Sequence, residues 1–379
     1  MSKTIAIPKE TRIEETRVAI TPDGAKKLRA LGYKVKVQKN AGIKAGFSNP
    51  EYLFSNAEII EEVPSLLAAA NIVLPLKRPA AEIEKQTIAT LVPEALIVGF
   101  LDPYFQKGKH LHFYQKQKVT AFAFELLPNL PETQLFDPMA QMSQITGEVV
   151  LDDYIENYNE NLEGKKILII GLGNVGLSCA KYAWEKKAKV TTITRSDRYR
   201  NLVAKQGGRF LKIEGNAESK KREFVEKILL TNFFDLVVCS ARIRCQLAPL
   251  LISKSALLKL QKKVIIYDLA ASLGGNCEAS QYGKNTSCGG ADVRSKTGYP
   301  TSRPKEASER YSSCVIEFLK HLSRDSDDSI TQLCLESCAV CNGMVNPILG
   351  LNENYQINDG IKFRDRLLEW HSNYLKTWQ

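Results

Sequence analysis

Apolar residues along the chain fall in short runs separated by helical patterns. Thr4 to Ile7 reads as a strand stopped by Pro8. Thr21-Pro22-Asp23 then opens a helix, with Thr21 or Asp23 as the cap and Ala25, Leu28 and Leu31 as an apolar stripe at helical spacing. Gly32 ends it, and Lys34 to Gln38 alternates as a strand does. Ile59-Ile60, Ile72-Val73-Leu74 and Ala95-Leu96-Ile97-Val98 are further short apolar runs with helical patterns between them. A second series begins near Lys165, with strands at Lys166 to Ile170, Lys189 to Ile193, Arg209 to Ile213, Leu236 to Cys239 and Val264 to Tyr267. Strand and helix alternating at this spacing predict an α/β fold with parallel sheets. The polar stretch Met139 to Asn161 reads as a helix bridging two lobes, and Ser323 to Ser329 as a linker. Ile361 to Trp378, with Phe363, Leu367, Leu368, Trp370 and Tyr374, reads as an amphipathic helix folding back on the first lobe. The predicted division is residues 1–138 with 325–379 as a discontinuous substrate lobe, and 139–324 as a dinucleotide-binding lobe.

Composition narrows the class. With 379 residues, 44% hydrophobic and 25% charged, the chain is globular and has room for two domains. The 52 Lys and Arg against 42 Asp and Glu give a net charge of +10. The basic patches at 115–118 and 220–222 do not interleave aromatics, so no nucleic-acid partner is expected. No apolar run approaches the ~20 residues of a membrane span, and the N-terminus lacks a signal-peptide core. Nine cysteines, an odd number, favour reduced thiols and a cytoplasmic protein over a disulfide framework.

The candidate chemistry begins at Gly171-Leu172-Gly173-Asn174-Val175-Gly176, directly after a predicted strand and before a helical run. In that context the spacing reads as a dinucleotide loop. Gly171 allows the tight turn, Gly173 lets the backbone approach a pyrophosphate, and Gly176 lets helix and strand pack closely. Asn174 and Val175 open the helix whose N–H groups face the phosphates. The bland alternative is a glycine-rich turn without a ligand. At the end of the next strand an acid is expected for the ribose 2′-hydroxyl, yet Thr194 stands there, followed by Arg195, Ser196, Asp197 and Arg198. The arginines and Ser196 suit a 2′-phosphate, hence NADP; Asp197 as a shifted ribose partner suits NAD; solvated loop charges are the third reading.

Several stretches together resemble the alanine dehydrogenase and pyridine nucleotide transhydrogenase family. They are Ile7-Pro8-Lys9-Glu10, Arg17-Val18-Ala19-Ile20-Thr21-Pro22, Ala45-Gly46-Phe47 with Pro50-Glu51-Tyr52, Asp268-Leu269-Ala270-Ala271, Gly274-Gly275-Asn276-Cys277-Glu278, Gly298-Tyr299-Pro300, Ser302-Arg303-Pro304 and Ala307-Ser308. The Gly-Gly-Asn-Cys-Glu stretch is similar to the alpha-subunit side of the transhydrogenase branch. The resemblance implies two Rossmann-like lobes with a cleft between them, the first completed by the C-terminal helix. It implies NAD or NADP as cofactor, with Asp268 and Leu269 among its contacts, and a homo-oligomer, expected as a dimer. It further implies hydride exchange with NADP(H) on a separately encoded membrane beta subunit.

The same resemblance sets expectations for the chemistry. Alanine dehydrogenases use an arginine, a lysine, a histidine and an aspartate; Arg17 and Lys77 match the first two, a cation pair able to hold a carboxylate. Asp102 stands at the histidine position and Ser272 at the aspartate position, so both proton-handling groups are missing. Transhydrogenases place an Arg, a Gln and an Asp beside the nicotinamide; Gln134 and Asp137 match, while Glu132 replaces the arginine. Hydride exchange between two nicotinamides needs positioning and no acid or base. The resulting expectation is an NAD(P)-dependent, transhydrogenase-like oxidoreductase. The alternatives are an amino- or oxo-acid dehydrogenase with altered proton chemistry, acting on a small acid, and a non-catalytic dinucleotide-binding module. Cys334, Cys338 and Cys341 have a spacing some clusters use, but with no His following nearby, free thiols are expected and no metal.

Overall fold

The computed structural model describes residues 2–215, 217–242, 246–296, 298–349 and 357–377. Among the described residues the strands are β1 (Thr4–Ile7), β2 (Lys34–Gln38), β3 (Glu58–Ile60), β4 (Ile72–Val73), β5 (Leu96–Gly99), β6 (Thr120–Ala123), β7 (Lys166–Ile170), β8 (Lys189–Thr194), β9 (Arg209–Lys212), β10 (Leu236–Cys239), β11 (Val264–Asp268), β12 (Asn285–Cys288), β13 (Ala291–Arg294), β14 (Cys338–Cys341) and β15 (Met344–Val345). They form two sheets, ordered β15-β14-β6-β5-β4-β1-β2-β3 and β12-β13-β11-β10-β7-β8-β9. The pairings from β6 to β3 and from β13 to β9 are parallel; β14, β15 and β12 add antiparallel edges. The α/β reading of the sequence is what the chain adopts.

The chain divides into residues 1–142 with 301–379, and residues 143–300. The expected boundary at 324 moves to 300, because the helix Pro304–Leu322 packs into the first unit. Its Tyr311 and Phe318 are fully buried, and Phe318 meets Phe122 and Phe124 edge-on at 5.7 and 5.3 Å. The C-terminal helix Ile357–Lys376 joins the same unit, with Trp370 5.5 Å from Phe122. The linker expected at 323–329 ends on Asp328, whose carboxylate caps the helix Ser329–Leu335.

Strands β5 and β6 are buried throughout, as parallel strands covered on both faces are. Helix starts follow their caps: Thr21 Oγ1 accepts from Gly24 N ahead of the helix Pro22–Ala30. Cys334 lies in the helix Ser329–Leu335 and Cys338 and Cys341 in β14; all three are buried free thiols, and burial pushes the Cys334 and Cys338 thiols up. No group of three or more His, Cys, Asp or Glu among the described residues is placed to hold a metal, and no described helix is long and apolar enough to cross a membrane.

Phe318 is the aromatic hub of the first unit, so Phe318→Ala should cost about 3–5 kcal/mol. Chemical denaturation checks this; a loss below about 1 kcal/mol would show the aromatic cluster able to collapse around the missing ring.

Candidate dinucleotide-binding site

β7 ends at Ile170, and the chain turns through Gly171, Leu172 and Gly173 into the helix Asn174–Glu185. Gly171 sits at φ +93°, and a Cβ there would meet the Ala241 backbone nitrogen at 2.6 Å. A Cβ on Gly176 would run into the Gly171 carbonyl and approach Ser240 Oγ to 2.7 Å. Gly173 is the opposite case, with nothing within 4 Å of a Cβ built on it. The loop is closed at two glycines and open at the one whose backbone would face a pyrophosphate. The helix behind it begins at Asn174 and turns its positive dipole end there. Val175 packs inward against the unit's core, and the Asn174 carbonyl takes a hydrogen bond from Ser178 Oγ at 2.8 Å. The loop also lies where the strand order reverses: from β7 the chain runs out through β8 and β9, then returns to β10 on the other side. That carboxyl-edge crevice is where ligands bind in open α/β sheets.

The β10 side of the crevice is fixed by an internal network. Ser240 Oγ donates to the Gly171 carbonyl at 2.9 Å. Asn276, fully buried, accepts from Ala241 N at 3.0 Å and donates to the carbonyls of Ala241 and Pro249, both at 2.9 Å. Asp268, also fully buried, accepts from Ala270 N at 3.0 Å, Asn276 N at 2.8 Å, Cys277 N at 3.0 Å and Ser280 Oγ at 2.6 Å. The Asp268 carboxylate, expected among the cofactor contacts, turns into its own loop, with three of these bonds on Oδ2 and one on Oδ1. Leu269 is likewise buried, its N–H on the Cys239 carbonyl at 2.9 Å and its own carbonyl held by Arg242.

At the end of β8, Thr194 is buried and its Oγ1 accepts weakly from Ser196 N at 3.4 Å. Ser196 Oγ accepts from Arg198 N at 3.2 Å, and Arg195 is exposed. Asp197, the alternative ribose partner, is gripped by Lys212 and by Arg200 at 2.7 Å, and these bonds hold its carboxyl below the usual range.

In the first unit Arg17 and Lys77 do come together, and on a residue that sequence reasoning missed. Glu15 Oε1 and Oε2 take Arg17 Nε and Nη2 at 2.6 and 2.7 Å, and Lys77 Nζ reaches Oε2 at 2.9 Å. The Glu15 side chain is fully buried; although burial opposes ionisation, the Arg17 and Lys77 contacts hold its carboxyl down at about 2. Its place two residues before Arg17 was the available signal. Asp102, in the left-handed region at φ +48°, pairs with Arg12 at 2.9 Å and Arg78 at 3.3 Å. Glu125 supports that turn by accepting from Leu101 N and Asp102 N, and burial pushes its carboxyl up to about 7. Ser272 is exposed in the second unit.

Gln134 is exposed on the loop after β6, as is Glu132. Asp137 is buried and caps the helix Pro138–Tyr158, Oδ1 accepting from Met139 N at 2.8 Å and Ala140 N at 3.3 Å. Burial pushes its carboxyl up to about 6. Its placement is that of a helix cap holding the loop's far end, with Gln134 as the outward-facing member.

A two-unit α/β chain with this glycine loop is a dinucleotide-binding protein by fold class. The chain matches the family model "Alanine dehydrogenase/PNT, N-terminal domain" over residues 6–146 and "Alanine dehydrogenase/PNT, C-terminal domain" over 159–347. It belongs to the alanine dehydrogenase/PNT family. It is 26% identical over 358 residues to an NAD(P) transhydrogenase subunit alpha chain of Rhodospirillum rubrum, covering 87% of this chain and 93% of that one. It is 27% identical over 298 residues to the alanine dehydrogenase of Bacillus subtilis (strain 168), covering 72% of each. Its fold is similar to the crystal structure of transhydrogenase from Sinorhizobium meliloti, with a TM-score of 0.76 and 24% identity over 90% of this chain and 98% of that one.

The Glu15 cluster yields a pH-dependent expectation. A carboxyl held at about 2 rather than its ordinary 4.5 stabilises the folded state by about 3 kcal/mol at neutral pH. That contribution is complete above pH 4.5 and fades as pH falls towards 2. Glu15→Gln should therefore lose about 3 kcal/mol at pH 7, and the gap to wild type should narrow in acid. A gap of constant size from pH 7 to pH 2.5, followed by denaturant titration, would show that charge is not its source.

Proposed function

We propose that the chain is an NAD(P)-dependent oxidoreductase of the transhydrogenase type, exchanging hydride with a second nicotinamide on a partner subunit. The observation that carries the reading is the loop at 171–176, closed at Gly171 and Gly176 and open at Gly173 over a helix N-terminus. The relatives named for transhydrogenase and alanine dehydrogenase support dinucleotide-dependent redox chemistry in the family. A bound nicotinamide supplies the hydride donor or acceptor, moving two electrons and a proton as one unit.

The chain's own residues support the exchange reaction over amine oxidation. The latter needs a group to take a proton near neutral pH. Asp102 holds Arg12 and Arg78 on one oxygen, Oδ2, and pairs with cations where alanine dehydrogenases are expected to carry a histidine. Exchange asks only for binding and orientation. Gly173 and the Asn174–Glu185 helix of the second unit serve the pyrophosphate, while Gln134 is exposed in the first unit. Asp137 fixes Gln134's loop to the helix start.

One observation favours the small-acid reading. Arg17 and Lys77 converge with a single carboxylate between them, leaving one net positive charge, and Lys77 is partly exposed. If a small acid binds there, truncating Lys77 should weaken its binding by about 2–5 kcal/mol, measured as a KM or Kd. Unchanged acid affinity in that variant removes the clamp and leaves hydride exchange untouched.

Gly173→Asp should abolish dinucleotide binding, since a side chain fills the open face and its charge repels the diphosphate. The checks are fluorescence titration with NADH and NADPH, and turnover screened against a second nicotinamide and against amino acids. A folded variant of unchanged affinity would remove this loop from the site. Wild-type binding with no turnover of amino acids, and none of a second nicotinamide when a transhydrogenase beta subunit is supplied, would identify a binding module instead.

A further inference from the structure

We propose that the edge of the second sheet at which β10 and β11 begin is a docking surface for an anionic lipid bilayer. The glycine loop lies at the other edge of the same sheet, beyond the carboxyl end of β7, so the inference stands apart from the dinucleotide reading.

The observation is a set of apolar side chains that protrude where these strands start. The helix Glu218–Thr231 ends at this edge and leads through Phe233 into β10. The helix Lys254–Leu258 leads through Leu260 and Lys262 into β11. Leu230 is 40% exposed, Phe233 51% and Leu258 69%, while their neighbours Leu229 and Leu257 are buried in the core. Leu230, Phe233, Leu260 and Lys262 line one groove, and Leu258 stands at the head of the loop that carries the last two. Apolar residues exposed singly are ordinary, whereas several along one edge mark an interaction surface.

The charges beside them are of one sign. Lys227 and Leu230 are three apart on one helix, hence neighbours on its surface. Lys259 follows Leu258, and Lys262 Nζ lies 4.5 Å from the centre of the Phe233 ring. All three lysines are exposed and have no ion pair among the described residues. The acids of this edge are engaged elsewhere. Asp292 takes Lys263 at 2.8 Å, and Asp235 accepts from Lys166 N at 2.8 Å and pairs with Lys165 at 3.8 Å. Glu226 accepts from Ser253 N at 2.9 Å.

The residue types select the occupant. Protein interfaces are poor in lysine and rich in arginine, and arginine forks are the better match to nucleic-acid phosphates. Lysine stems lie along apolar surface while their ammonium groups reach outwards. Apolar side chains set among lysines match the boundary between acidic headgroups and acyl chains. The net charge of +10 draws the whole chain towards such a surface.

The test is co-sedimentation of the full chain with vesicles of phosphatidylcholine alone and of phosphatidylcholine mixed with phosphatidylglycerol, at low and at high salt. Wild type should bind the acidic vesicles at least about tenfold more strongly than the neutral ones, and high salt should remove the difference. Lys259→Glu combined with Lys262→Glu should weaken that binding about tenfold or more, and so should Phe233→Ser combined with Leu258→Ser. Lys259→Arg with Lys262→Arg should retain it, and circular dichroism checks that each variant folds. No binding to acidic vesicles at low salt overturns the proposal. Binding that either the glutamate pair or the serine pair leaves unchanged overturns it too, because the surface needs both charge and apolar contact. A dimer that the serine pair dissociates, with vesicles unbound, identifies a second copy of the chain as the occupant instead.

Discussion

The second unit is organised around one fully buried carboxylate. Leaving a carboxylate such as Asp268 out of water is expensive unless its lone pairs are filled, and four donors from residues 270–280 fill them. Satisfying that group folds the chain after β11 back on the strand end, through glycines at positive φ; a Cβ on Gly275 would lie 2.7 Å from Asp268 Oδ2. The fold-back delivers Asn276 to Ala241 and Pro249, and Ala241 is the backbone against which Gly171 closes. The shape of the dinucleotide loop thus depends on a carboxylate whose oxygens never face it.

The first unit uses buried carboxyls differently. Glu10 closes the end of β4 by accepting from Leu76 N and Lys77 N, and Glu125 closes the end of β5. Burial pushes both carboxyls up to about 7. Glu15 is pulled the other way by Arg17 and Lys77. Carboxylates of one type therefore span most of the acid range within one unit: burial raises all three, backbone N–H bonds offset it only in part at Glu10 and Glu125, and cations outweigh it at Glu15. The consequence for function is that residue type at a strand end says little until its partners are known.

That is also why the fold was more legible than the site. Strands β1, β2, β7, β8, β10 and β11 are continuous or alternating apolar runs, and the glycine spacing reports backbone closeness directly, so Gly171, Gly173 and Gly176 read correctly as two tight positions and one open one. The edge hairpins β12–β13 and β14–β15 carried no such signal; they are short, and β14 is built of Cys338, Ala339, Val340 and Cys341. The internal bonds of Asp268 were not legible because a strand-end acid has the same identity whether it faces a ribose or its own loop. Asp137 poses the same problem at a helix start, where capping two N–H groups explains an aspartate without any ligand. The roles of Glu15 and Asn276 were hidden because each acts on other residues of the chain: Glu15's one signal was its place before Arg17, and Asn276 stood in a family-like stretch that did not say what it bonds.

The chemistry follows from what these partners leave available. Proton transfer needs a group whose two protonation states lie close in energy at working pH and whose oxygens are free to meet the substrate. Asp102 holds Arg12 and Arg78 on its Oδ2. Glu125 and Glu10 are tuned to the right range, yet each carboxyl is spent on two backbone N–H groups that hold a strand end together. Moving their protons during turnover would disturb the turns that position Lys77 and Asp102. Hydride exchange between two rings makes no such demand, so a fold whose tuned carboxyls are structural suits it without rearrangement. On the proposed hydride exchange the open Gly173 gains its weight: a reaction that asks for no proton transfer depends on close seating of the dinucleotide.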